Sequence, residues 1–180
     1  SASNSTDYSS RIVNSSKAIS LDTNGQNVTF GTALAVSNSG GLTKLGAGTL
    51  TLGAANLYTG ITTVSAGTLQ LTASNSLTSV PGSVTSASAI TLGSGTASGV
   101  LVLGTTSSAI NQTFTNLIVS GTGTGNAIVG GGSGTNSVLT FNNNNAALTA
   151  TGTLSGNGTT NITGTIGGAG TNRNNFHLVV

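Results

Sequence analysis

Apolar and polar residues alternate one for one in short bursts along the chain, and nowhere do apolar residues recur at spacings of three, four and seven over two turns. Period two is the signature of a strand with one buried face, whereas a helix would need the second pattern. No helix is expected. The clearest bursts lie in residues 40–71, where Gly48-Thr49-Leu50-Thr51-Leu52 returns nineteen residues later as Gly67-Thr68-Leu69-Gln70-Leu71. Gly46, Gly48, Gly60 and Gly67 punctuate these strands, at points where positive φ or close chain approach would leave no room for a side chain.

Shorter phrases of the same kind continue on both sides. Ala18-Ile19-Ser20-Leu21, Val28-Thr29-Phe30 and Ala33-Leu34-Ala35-Val36 read as strands before the repeat, with an Asn-Gly turn at Asn24-Gly25. After it come Ala89–Leu92, Val100–Leu103, Ile110–Phe114, Leu117–Val119, Ala127–Val129, Val138–Phe141, Gly152–Gly156 and Gly164–Gly168. Val100–Leu103 is an almost unbroken apolar run, the pattern of a strand covered on both faces. A strand-turn unit returning about every twenty residues marks a stack in which each coil covers the next. The expected fold is therefore all-β, a parallel β-helix of about nine coils and roughly 40 Å. A β-sandwich is the competing architecture, since many short strands with glycine turns suit it as well.

Length bounds the molecule to one domain of 180 residues. Residues 1–16 are polar and read as a leading arm or cap, 17–174 as the coiled body, and 175–180 as a terminal strand open to exchange with a neighbouring subunit. Charged residues make up only 3 %, against about a quarter in an ordinary domain. The four basic side chains are scattered, so no basic run exists to neutralise a phosphate backbone, and nucleic acid is not an expected partner. No apolar stretch approaches eighteen residues, so no transmembrane segment is expected.

The same scarcity of charge argues against catalysis. Cysteine and glutamate are absent, and the two aspartates, Asp7 and Asp22, each sit among turn residues near the N-terminus. A hydrolytic carboxylate pair or a nucleophilic triad built on the single His177 is not expected. The Gly-rich phrases at 131–136 and 167–172 carry asparagine where a calcium repeat carries aspartate, so neither a metal nor any other cofactor is expected. Tyr58 has a turn-packing role as its first reading and sugar stacking as its second. Thr-x-Thr pairs, such as Thr49/Thr51, follow from β-propensity without regular spacing.

The central stretch resembles the autotransporter-associated β-strand repeat, also called the passenger-associated transport repeat. The resemblance is carried by Gly41, Leu42, Lys44, Gly46, Gly48, Thr49, Leu50 and Leu52. It continues through Asn56, Tyr58, Gly60, Thr62, Val64, Gly67, Thr68 and Leu69. Leu57 and Ile61 stand where that pattern more often has Thr and Gly. The resemblance implies a right-handed parallel β-helix on or outside a bacterial cell surface, forming stalks rather than carrying an enzyme. It covers about a sixth of the chain. The membrane barrel of a standard autotransporter is not among these residues, as in a released piece or a free-standing secreted protein.

An open stack exposes unpaired backbone at its ends, and charge, the usual guard of such edges, is scarce here. The expectation is a non-enzymatic extracellular structural protein stacking head to tail into a fibre or surface layer, its partner being a second copy of itself. Ile12 and Val13 at one end, and Phe176, Leu178, Val179 and Val180 at the other, are the assembly candidates. The competing expectation is a passenger fragment acting as an adhesin or stalk toward glycans or host surfaces.

Overall fold

The computed structural model describes residues 6–74, 77, 89–105, 107–108, 110–114, 117–120, 125–130, 138–141, 153–156 and 159–162. Among these residues fourteen strands run in chain order. They are β1 Ile19–Asp22, β2 Val28–Phe30, β3 Leu42–Leu45, β4 Thr49–Leu52, β5 Thr62–Val64, β6 Gly67–Leu71 and β7 Ile90–Leu92. The remainder are β8 Gly99–Leu103, β9 Asn111–Phe114, β10 Leu117–Val119, β11 Ala127–Gly130, β12 Val138–Phe141, β13 Thr153–Gly156 and β14 Thr159–Ile162. Among the described residues the only helical piece is one 3-10 turn, Ser9–Arg11.

Every pairing between these described strands is parallel. One sheet runs β1-β3-β5-β7-β10, a second β2-β4-β6-β8-β11-β13, and a third β9-β12-β14. Consecutive strands thus fall in different sheets, and each pairs with the strand one full rung later. This is not the hairpin-linked pairing of an antiparallel sandwich. The internal sequence repeat and the sheet register coincide: Thr49, Leu50, Thr51 and Leu52 lie beside Thr68, Leu69, Gln70 and Leu71. A shift of nineteen residues along the chain is one step across the sheet.

That spacing is not uniform. Leu50 to Leu69 is nineteen residues, Leu69 to Leu101 is thirty-two, Leu101 to Ile128 twenty-seven and Ile128 to Leu154 twenty-six. Among the described residues the longest sheet has six strands, about 24 Å at ~4.8 Å per step. The expected spacing of about twenty residues holds from Val28 through Leu50 to Leu69 and widens after it.

The core is made of inward columns. Ile19, Leu42, Thr62 and Ile90 stack in the first sheet, and Leu50, Leu69, Leu101 and Ile128 in the second, all buried. Each fully buried aliphatic side chain contributes about 1.5–3 kcal/mol of transfer free energy. Outward positions on the same strands are half-exposed threonine, glutamine and valine, as the period-2 reading requires. Two readings need correction. Val100 and Val102 are only half-buried, so β8 alternates like its neighbours instead of being covered on both faces. Ala33-Leu34-Ala35-Val36 is not a strand: Leu34 is buried, but the chain turns at once, with Asn38 N–H donating to Ala35 O at 3.0 Å.

Between the early strands of the two long sheets, single contacts stand in place of a ladder. Leu57 N–H donates to Leu34 O at 2.9 Å, and Asn56 bridges in parallel to Leu77. Gln112 of β9 then clips Leu77, accepting from its N–H at 3.2 Å and donating to its carbonyl at 3.4 Å. β14 was not anticipated. Thr-Thr-Asn-Ile is a poor strand phrase by itself, and its extended form comes with parallel pairing to β12.

The Gly164–Gly168 phrase, His177, the Gly-rich phrases at 131–136 and 167–172, and Phe176, Leu178, Val179 and Val180 lie outside the described residues.

Candidate functional site

The repeat residues converge on two corners of the rung. At the first, β3 turns into β4. Lys44 shares its column with Leu21, Val64 and Leu92, so alternation sends its side chain inward, where it is fully buried. Its ammonium donates to Leu45 O at 2.8 Å, Gly46 O at 2.7 Å and Ala66 O at 3.2 Å. The first two acceptors belong to its own rung and the third to the next. Burial pulls the Lys44 pKa below its usual value, while the negative charge of Asp22 pulls the other way. A lysine so depressed makes the charged form costly to bury, a cost relieved as pH rises through the folded value.

Glycine makes this arrangement fit. Gly67 has φ +70°, and a Cβ there would lie 3.0 Å from the ammonium and 2.6 Å from Gly46 O. The four expected glycines, Gly46, Gly48, Gly60 and Gly67, all take positive φ.

At the second corner Asn56 is buried. Its side-chain oxygen accepts from Leu34 N–H at 2.8 Å, and its NH₂ donates to Ala54 O at 2.7 Å. Tyr58 is buried too, its hydroxyl 2.6 Å from that of Thr62. Desolvation raises the Tyr58 pKa well above the phenol range, outweighing the Thr62 bond. Its ring is therefore packing at the turn, and is not presented to a sugar.

Residues 42–71 match the family model of the passenger-associated-transport-repeat. Neither a curated protein nor a solved structure matches the chain. The matched stretch runs from β3 to the end of β6, so one passenger-associated-transport-repeat supplies one complete step of both long sheets. Its marker residues are the groups that close the two corners just described.

The N-terminal arm is tied to the turn at Asn38. Asn38, fully buried, accepts from Ser15 N–H at 3.0 Å and donates to Ile12 O at 2.7 Å. Ile12 is half-buried against the core, whereas Val13 is exposed. Asp7 accepts from the backbone N–H of Ser9 at 2.8 Å and of Gly31 at 2.7 Å. Partial desolvation raises its pKa, but hydrogen bonds from Ser9, Gly31 and Thr32 outweigh that and leave it below the usual carboxylate value.

A depressed carboxylate contributes stability above its unfolded pKa and loses it as pH falls through the folded one. The arm should therefore loosen below pH 3.8. The Gly31 amide resonance should move in an acid NMR titration, and Asp7→Asn should abolish that step. A Gly31 shift that persists unchanged in the variant would assign it elsewhere.

Asp22 accepts from Asn24 N–H at 2.8 Å in the Asn24-Gly25 turn, where both residues have positive φ. Among the described residues no three His, Cys, Asp or Glu side chains gather to hold a metal, and no helix is long and apolar enough to cross a membrane. Sequence reasoning missed the buried amides Asn38, Gln112 and Asn126 as ties between segments, and named Asn56 only as a residue of the repeat. Asn126, for example, accepts from Gly99 N–H at 2.8 Å.

Proposed function

We propose that this chain is a non-enzymatic structural segment of an extracellular or bacterial surface protein, a right-handed parallel β-helix that serves as a rod. The observation that carries the reading is the coincidence of the passenger-associated-transport-repeat with one rung of an all-parallel stack. Right-handedness is supported by the strong preference of parallel crossover connections for that hand. The repeat family points to the exterior of the cell.

The rods stack head to tail. β1 and β2 are the outermost strands of their sheets among the described residues, and they carry few charges to repel an added strand. The alternating Phe176-His177-Leu178-Val179-Val180 of a second copy is the strand offered to that edge. A contact of this head-to-tail kind does not close on itself and gives a filament.

Negative-stain images of the purified chain should show fibres, little altered between low and high salt because there is little charge to screen. Deleting residues 176–180 should leave isolated particles. Fibres formed by the truncated protein would overturn the terminal-strand contact. Isolated rods from the full chain would favour the second reading, a passenger stalk or adhesin toward glycans, which the repeat family also supports.

A further inference from the structure

Period-2 strands of similar composition have a register problem. β4 presents Leu50 and Leu52 inward and β6 presents Leu69 and Leu71. A slip of two residues would still place leucine over leucine and threonine-like positions outside. Alternation forbids a slip of one but hardly opposes a slip of two. Something other than the leucine columns must select the observed pairing of Leu42, Thr43 and Lys44 with Thr62, Thr63 and Val64.

We propose that Lys44 is a register pin, a positioning residue whose ammonium fixes how the β5–β6 rung stacks on the β3–β4 rung. Two of its acceptors, Leu45 O and Gly46 O, hold the ammonium at its own corner, and the third, Ala66 O, reaches across. Ala66 lies between β5 and β6, outside both. The carbonyl two residues earlier, Val64 O, already accepts from Gly93 N–H at 2.9 Å in the next rung. Two residues later, Thr68 lies within β6, where the ladder uses the backbone. A slipped rung therefore offers the ammonium no free corner carbonyl.

Space makes the same selection. Only Gly67, with φ +70°, leaves room beside Lys44 Nζ, and a slip would bring a side chain there. A buried ammonium is a poor source of stability, because its desolvation offsets what its hydrogen bonds return, but it is intolerant of misplacement. Specifying one pairing among near-equals is the role that fits this chemistry.

The chain has no cysteine, so engineered pairs report register without background. Thr43→Cys with Thr63→Cys tests the observed pairing, whose Cα atoms are ~4.8 Å apart and within disulfide range. Thr43→Cys with Ser65→Cys, and Thr43→Cys with Ile61→Cys, test the two slipped pairings, about 8 Å apart in the observed register and beyond that range. With Lys44 present, the in-register disulfide should form at least ~10-fold faster than either slipped one, the factor of one charge-assisted bond.

In the Lys44→Met background the protein should still fold, with slipped disulfides forming at rates within about threefold of the in-register one. Unchanged ~10-fold discrimination in Lys44→Met would overturn the proposal. So would a Lys44→Met chain that fails to fold, because the ammonium would then be a stabilising group and not a selecting one.

Discussion

Replacing Gly67 by valine is expected to remove about 3–5 kcal/mol of stability, a third or more of what a domain this size holds. Its φ is +70°, a region that costs a β-branched residue about 1–3 kcal/mol. The new Cβ would lie 2.6 Å from Gly46 O, 2.7 Å from Gly48 O and 3.0 Å from Lys44 Nζ. Two of these three are backbone atoms at a corner and cannot swing aside, so overpacking adds a further ~1–3 kcal/mol. Gly25→Val is the matched control. Gly25 also has positive φ, +79°, but a Cβ there meets nothing within 4 Å, so only the backbone cost of about 1–3 kcal/mol remains, without the overpacking. Urea midpoints of the two variants should differ accordingly. Equal losses would mean that φ alone matters and that the crowded Lys44 corner does not.

This contrast also marks what the sequence can and cannot convey. The strands of residues 42–71 were legible because Gly-Thr-Leu-x-Leu recurs, and a recurrence along the chain became a register across the sheet, Leu50 beside Leu69. The corner glycines were legible for the same reason. Lys44 carried a partial signal: it shares the parity of the buried Leu42 on an alternating strand, which places it inward, yet a lysine there reads as a surface charge. The acceptors that make its burial tolerable are carbonyls of Leu45, Gly46 and Ala66, and backbone carbonyls leave no trace in composition. The amides Asn38 and Gln112 were illegible because each makes its tie at a single point, without periodicity, whereas Asn56 was legible as a residue of the repeat though not as a tie to Leu34. Rung length was illegible as well. The step from Leu69 to Leu101 passes through residues 72–89, whose small polar composition gives no measure of how far the next strand lies.

Leu69→Ala should cost about 4 kcal/mol, toward the upper end of the 2–5 kcal/mol range for such truncations. Leu69 is fully buried in the middle of a column, with Leu50 before it and Leu101 after it in register. Collapse onto the gap is the usual relief after truncation, and here it is blocked. The spacing of Leu50 and Leu101 is set by backbone ladders at ~4.8 Å per step, so neither can move in without breaking hydrogen bonds. Val28→Ala provides the comparison: Val28 is half-buried at the end of the same column, and its loss should cost about 1 kcal/mol. A second consequence separates a stack from a globular core. In the rod proposed above each rung is held only by its neighbours, and β6 lies between β4 and β8, so weakening it loosens both interfaces at once. Unfolding of Leu69→Ala should therefore lose cooperativity, with the rungs before β6 and those after it melting separately and the apparent denaturant slope falling. A single sharp transition with an unchanged slope would show that the two halves are coupled by something other than the leucine column. The remaining candidates would then be the contacts that pass β6 by, the pairing of β5 with β7 in the first sheet and the parallel bridge from Asn56 to Leu77.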